Sequence, residues 1–376
     1  MIRITFVSPG STPIVDKNNT QPIGGAEVQM YLLARQISFN EKFASSLVIH
    51  GQQSLIKEGK LNIYAIPFFT DAKRFWVRTL ERIVFIFPQL KFWAGLKTDI
   101  IVQRSAGLFT LYVWIYCKLK KIKFVYMIAH DWDTSWEKNP LNSQWWWRWY
   151  WMALSKADLI VTQNDYQSAN IKKLNVSFLQ IENGLPLDLL DKLSRNLPKN
   201  RDCIYISTRF TSQKQPLMFL DLVKQFPEFE FTVVGFDCGE EKILKEFKSR
   251  LGSLNNLHWI KGLSWQNKFT QLACHKMFVS TSIREGYPNT YLEALALKLP
   301  VVSLNVDPNG LLKKSHGGVC ANGNWKKFTN QISGILADKP LIDKMGADGQ
   351  KYVRKFNNIA DNAAILEKFL CTKMSI

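Results

Sequence analysis

Arg284-Glu285-Gly286-Tyr287-Pro288-Asn289-Thr290-Tyr291-Leu292-Glu293-Ala294-Leu295-Ala296-Leu297-Lys298-Leu299-Pro300-Val301-Val302-Ser303 joins two short apolar runs through a helical pattern. The run before it, Met277-Phe278-Val279-Ser280, and the run that closes it, Val301-Val302-Ser303, read as strands. Strand, helix, strand at this spacing is a βαβ unit, and such units assemble into parallel sheets. Pro288 suits the first helical turn, because its missing N–H would be unpaired there anyway. The backbone amides that follow point out of the helix start as an anion cradle. Glu285 precedes the helix, and Glu293 lies about 7 Å further along its axis at 1.5 Å per residue. Two carboxylates so placed can hydrogen-bond hydroxyl-bearing groups on either side of a bound phosphate. Spacing alone fits two solvated glutamates around an ordinary turn equally well.

The same alternation runs through the rest of the chain. Strands are predicted over residues 2–7, 46–50, 62–66, 99–103, 123–128, 158–162 and 178–182, then over 203–207, 229–235, 257–261, 277–280 and 301–304. The pattern pauses between residues 182 and 202, where Asn183-Gly184, two prolines and a polar cluster intervene. This places a domain boundary near Asn183-Gly184 and predicts an α/β chain of two Rossmann-like parallel-sheet domains, residues 1–183 and 184–355. Ligands bind outside the carboxyl ends of such strands, so the expected site is a cleft between the domains.

Length and composition agree with this division. The chain has 376 residues, enough for two domains that each bury a core. Hydrophobic residues make up 46% and charged residues 21%, which excludes a disordered tail. The formal net charge of +18 favours an anionic partner: nucleic acid, a membrane surface or a phosphate-bearing substrate. The N-terminal residues read as a strand and a turn, with no signal-peptide-like apolar region. The longest apolar stretch, 106–117, falls short of the ~20 residues of a membrane span. The six cysteines are scattered without a C-x-x-C, so neither a disulfide framework nor a zinc site is indicated. A reducing cytoplasm fits them.

Three further segments carry chemistry. Arg209 and Lys214 follow the first strand of the second half, and two cations there can neutralise a diphosphate without a metal. A basic surface loop would look the same. Gly24-Gly25-Ala26-Glu27 opens a helix predicted over 27–37, and paired glycines let backbone approach a ligand closely. It is neither a Walker loop nor a G-x-G-x-x-G. His130-Asp131 ends the strand predicted over 123–128, although a lone histidine is more often structural.

These segments, in this order, resemble glycosyltransferase family 4, a group of retaining, nucleotide-sugar-dependent enzymes with the GT-B fold. The resemblance spans most of the chain. It includes Gly24-Gly25-Ala26-Glu27, Asn183-Gly184, Arg209 with Lys214, Val233-Val234-Gly235, and the E-x7-E pair Glu285 and Glu293 followed by Leu299-Pro300-Val301-Val302. It implies two Rossmann-like domains facing across a central cleft, with a C-terminal helix (about 358–373, within a terminal segment 356–376) returning to the first. It implies that Arg209 and Lys214 hold the donor diphosphate and that Glu293 binds the ribose hydroxyls. Glu285 would reach the donor sugar, and amides around Gly286, Tyr287, Pro288, Asn289 and Thr290 would complete the phosphate site. Gly24 and Gly25 would close on the donor, His130 would lie beside the transferred sugar, and Gly235, Gly262 and Leu263 would flank the nucleotide base. In the family's route the acceptor attacks from the face the phosphate leaves, and the departing phosphate takes the proton. No cofactor or metal is expected, and Asp131-Trp132-Asp133 is read as a chance Asp-x-Asp. The segment Pro288-Asn289-Thr290 departs from the glycine and apolar residues common in many members.

The acceptor side is read from charge. Residues 72–123 hold eleven basic residues against Glu81 and Asp99. Lys73, Arg74, Arg78, Arg82 and Arg104, interleaved with Trp76 and Trp93, form the expected acceptor and membrane side. The alternative is that these aromatics, and those of 145–151, are core. No recognised motif accompanies the charge, so nucleic acid is not the expected partner. The function expected is transfer of a sugar from a nucleotide-diphosphate sugar to a glycan or lipid-linked acceptor in cell-envelope polysaccharide synthesis (O-antigen, capsule or exopolysaccharide). It would take place at the inner face of an anionic membrane. The alternatives are a catalytically inactive carbohydrate- or nucleotide-binding protein of the same fold, and a membrane-docking scaffold.

Overall fold

The computed structural model describes residues 1–16, 21, 23–52, 54–67, 91–135, 146–194 and 203–373. Those within 1–16, 23–182 and 360–373 form one compact unit, and those within 183–359 a second.

The first unit is built on eight strands: β1 (Ile2–Val7), β2 (Phe43–His50), β3 (Ser54–Glu58), β4 (Leu61–Ile66), β5 (Ile100–Arg104), β6 (Lys123–Met127), β7 (Leu159–Thr162) and β8 (Phe178–Gln180). They lie in the order β3-β4-β2-β1-β5-β6-β7-β8. All pairings are parallel except β3 with β4. The central strands are mostly apolar and buried, apart from Ile2 and Arg3 at the start of β1 and the buried polar residues Gln103 and Arg104 that end β5, as a sheet covered on both faces demands. Helices α1 (Gly25–Ile37), α2 (Leu108–Lys120) and α3 (Trp147–Ser155) belong to this unit. Trp147, Tyr150 and Leu154 of α3 pack with Val113 and Cys117 of α2 over Phe124 and Tyr126. The tryptophan run is therefore partly core: Trp147 is fully buried, whereas Trp149 is 46% exposed.

The second unit holds β9 (Cys203–Phe210), β10 (Phe231–Gly239), β11 (Leu257–Ile260), β12 (His275–Ser280), β13 (Val301–Ser303) and β14 (Gly318–Cys320), in the order β11-β10-β9-β12-β13-β14. Every pairing is parallel. Helices α4 (Pro216–Gln225), α5 (Trp265–Ala273), α6 (Asn289–Ala296) and α7 (Lys339–Phe356) belong to it. Pro288 caps α6 in an extended conformation rather than sitting in its first turn. The last helix, α8 (Ile359–Lys373), is held in the first unit, where Asn40 donates to Glu367 at 2.7 Å and Asn362 to the Glu182 carbonyl at 2.7 Å.

In both sheets the chain starts centrally, builds outward on one side and then returns to build the other. The order reverses between β1 and β5 in the first sheet and between β9 and β12 in the second. Crevices open at the carboxyl ends of strands at such reversals. No helix among the described residues is long and apolar enough to cross a membrane.

Candidate active site

In the second unit the reversal point is occupied by charge. The loop after β9 carries Lys214 and the loop after β12 carries Glu285; their side chains form an ion pair. Hydrogen bonds to backbone carbonyls fix the two loops to each other. The Ile283 amide donates to the Gln213 carbonyl at 2.8 Å, Gln213 Nε2 donates to the Arg284 carbonyl at 2.7 Å, and Thr281 Oγ1 donates to the Lys214 carbonyl at 2.9 Å. Gln215 takes a left-handed conformation, φ 48°, between the turn that holds Lys214 and the start of α4. Arg209, within the last residues of β9, is exposed.

The turn leading into α6 is clamped from behind. Asn183 Nδ2 donates to the Tyr287 carbonyl at 2.6 Å and to Asn289 Oδ1 at 2.8 Å, and Asn357 Nδ2 donates to the Asn183 carbonyl at 3.1 Å. Gly286, Tyr287, Pro288 and Asn289 are buried, and Thr290 is half-buried. Within α6, Glu293 is 1% exposed, so the reading as a solvated glutamate fails. Its two carboxylate oxygens lie 2.8 and 2.7 Å from Nζ of Lys268, on α5. An ionised carboxylate this far from water requires such a partner. Lys268 escaped the sequence reading, because only the packing of α5 brings it beside α6, 25 residues away.

Between the middle of β10 and β11, the Gly235 carbonyl accepts from Trp259 Nε1 at 3.0 Å. Gly262 adopts φ +87°, and a Cβ there would lie 2.5 Å from the ring of Phe236, so only glycine fits this turn. Leu263 follows it, half-buried.

The first unit holds a second polar cluster past the carboxyl ends of β5, β6 and β7. Gly24 is the N-cap of α1, which begins at Gly25. His130 Nδ1 accepts from the Trp132 amide at 3.2 Å, which leaves the proton of the neutral ring on Nε2. Asp133 Oδ2 accepts from the amides of His130 at 2.9 Å and Ala129 at 3.2 Å, and Tyr150 donates to the Asp133 carbonyl at 3.0 Å. Burial pushes the Asp133 carboxyl up to about 6, against those amides and the Arg104 charge. Asp131 Oδ1 accepts from Asn164 at 2.8 Å and Gln167 at 2.9 Å. The Asp-x-Asp pair is thus committed to holding the His130 turn. Among the described residues no group of three or more His, Cys, Asp or Glu is placed to hold a metal.

Two expectations on the acceptor side are corrected. Arg104 is 6% exposed at the end of β5, where burial lowers its guanidinium to about 10 while Glu27, Tyr126 and Asp133 oppose that shift. Its charge serves the interior of this cluster rather than a membrane face. Trp93 is also 6% exposed, tucked edge-on against Phe92 and tilted against Tyr116. Lys73, Arg74, Trp76, Arg78 and Arg82 lie outside the described residues.

Two Rossmann-like parallel-sheet units in one chain make the fold GT-B. Sucrose-phosphate synthase from Thermosynechococcus elongatus superimposes with a TM-score of 0.78 at 14% identity, over 100% of both chains. Residues 191–352 match the family model for glycosyl transferases group 1. An uncharacterized glycosyltransferase of Methanocaldococcus jannaschii is 29% identical over 163 residues, 39% of this chain and 39% of that protein. The UDP-Gal:alpha-D-GlcNAc-diphosphoundecaprenol alpha-1,3-galactosyltransferase of Escherichia coli is 27% identical over 222 residues, 53% of this chain and 56% of that protein. The match thus spans about half or less of the length of these relatives.

Proposed function

We propose that the chain is a retaining glycosyltransferase that moves a sugar from a nucleotide-diphosphate sugar to a glycan or lipid-linked acceptor. The observation that carries this reading is the Lys214–Glu285 pair, set between the loops after β9 and β12 at the start of α6. Lys214, with Arg209, supplies cations to the leaving diphosphate, and the α6 amides add their dipoles. Glu293 accepts hydrogen bonds from the ribose hydroxyls, and Glu285 from the donor sugar. In the step itself the bond from the sugar C1 to the phosphate oxygen breaks, and the acceptor oxygen bonds to C1 on the same face. The acceptor proton passes to the departing phosphate, so no metal and no protein nucleophile enter the balance. The relative that names a diphosphoundecaprenol acceptor and a UDP-Gal donor supports a lipid-linked acceptor and envelope polysaccharide synthesis. We place this activity in the cytoplasm, at the inner membrane face.

The test is turnover of nucleotide sugars by the purified chain and by Lys214→Ala. Removal of a cation aimed at developing charge is expected to lower kcat by about 10²–10³ with the fold intact by circular dichroism. Near-normal turnover in the folded variant removes Lys214 from the mechanism. NMR of the first product formed reads the anomeric configuration, and inversion overturns the same-face route. Donor affinity without any turnover or donor hydrolysis favours the inactive binding protein instead.

A further inference from the structure

Helices α2 and α3 bury one face in the first unit's core, yet α2 is apolar on its exposed side as well, and α3 exposes Trp149. Tyr112, Ile115 and Leu119 recur at helical spacing on the outer side of α2, 42%, 40% and 78% exposed. Trp149 stands out from α3, the neighbouring helix. A helix apolar on its solvent side as well as its core side lies against something else.

Charge says what. Lys118, Lys120 and Lys121 are exposed at the C-terminal end of α2, and Arg148 is exposed beside Trp149. Neither helix contains an acidic residue. A protein partner buried through this face would leave the basic side chains wanting a matching acidic patch, whereas an anionic bilayer presents negative charge everywhere along its surface. Tyr and Trp are the side chains that settle at a membrane interface, and lysines reach past it to the headgroups.

We infer that the outer faces of α2 and α3 are the surface by which this chain lies on an anionic membrane, with Leu119 and Trp149 entering the headgroup region. This rests on the membrane contact proposed above and gives it an address different from the Trp93 and Arg104 expected from sequence.

Flotation of the full-length chain with phosphatidylglycerol-rich vesicles tests it. The protein is expected to float with these vesicles and to stay behind with pure phosphatidylcholine. Leu119→Glu or Trp149→Ala should weaken binding about tenfold. Neutralising Lys118 and Lys120 should cost about fivefold each, and added salt should reproduce that loss. All four side chains are exposed, so circular dichroism and the thermal transition should not change. Failure of the wild-type chain to float, or flotation of Leu119→Glu like wild type, overturns the proposal. So does a wild-type dimer in light scattering that Leu119→Glu converts to monomer, because a second copy would then cover the face. Nucleotide-induced thermal stabilisation, read on the same variants, reports separately on the transferase reading.

Discussion

Lys268 and Glu293 show how one unforeseen residue governs a site. Glu293 is almost without water, and its charge is held by a single ammonium group. Removing one partner of a buried pair leaves the other uncompensated, at a cost of about 3–5 kcal/mol. Lys268→Met is therefore expected to lower stability by about 3 kcal/mol, since Lys268 retains some exposure. If Glu293 also reads the ribose, the variant should lose its preference for a ribonucleotide over the 2′-deoxy form, and Lys268→Arg should keep much of it. Calorimetric titration with both nucleotides decides the matter; lost stability with unchanged discrimination would leave the pair purely structural. Asp133 provides a second residue-scale test. Its carboxyl titrates near 6 in the folded chain because burial disfavours the charge, against about 3.9 in an unfolded one. Between those values the folded state binds more protons, so this group's contribution to stability is fully present at low pH and declines as pH rises to about 6. The stability of Asp133→Asn relative to wild type should accordingly improve by about 2–3 kcal/mol from pH 4 to pH 7.5. Thermal denaturation across that range measures it; a flat difference would mean that the carboxyl titrates normally.

Among elements, α6 depends on the helix behind it. Helix α7 approaches so closely that a Cβ on Gly346 would lie 2.5 Å from the Lys298 carbonyl oxygen, just past the end of α6. Gln350, one turn on, donates to the Ala296 carbonyl at 2.7 Å. A backbone oxygen cannot swing aside as a flexible side chain does, so Gly346→Ala should destabilise the second unit by about 1–3 kcal/mol. It should also weaken nucleotide binding more than a surface change of equal volume such as Gly334→Ala, which has open space around it. Equal effects on both would show that α7 does not hold the site. Elements of this kind also mark what was legible beforehand. Buried parallel strands announce themselves as apolar runs, and all twelve predicted strands exist, most with ends moved by a few residues: β2 starts earlier and β10 runs on, whereas β8 and β13 stop short. The two that escaped lack that signature: β3, Ser-Leu-Ile-Lys-Glu, is a mostly exposed antiparallel edge, and β14 is three residues long. In the site, the motif residues could be read in order along the chain. Lys268 and Asn183 act on residues 25 and 104–106 positions away, which no local pattern signals; Asp133 acts locally, on the amides of Ala129 and His130, behind an Asp-x-Asp spacing.

At the scale of the whole molecule, each unit carries its own core: the cluster around Phe124 and Tyr126 in the first, and that around Phe219 and Phe231 in the second. Two cores in one chain predict two calorimetric transitions rather than one. The proposed donor contacts Arg209, Lys214, Glu285 and Glu293 all belong to the second unit. A ligand that binds only the folded state of that unit raises its stability by RT ln(1 + [L]/Kd), about 2.7 kcal/mol at a hundredfold excess over Kd. For a unit of this size that is a rise of about 5–10 °C in one transition. A panel of UDP, GDP and ADP should therefore lift one transition selectively with the nucleotide of the true donor. Gly346→Ala, which lowers the second unit's own transition, identifies which one it is, and Glu293→Ala should abolish the shift. If the nucleotide instead lifts the transition that Gly346→Ala leaves alone, the donor sits on the first unit, and Lys214 and Glu285 are a structural pair.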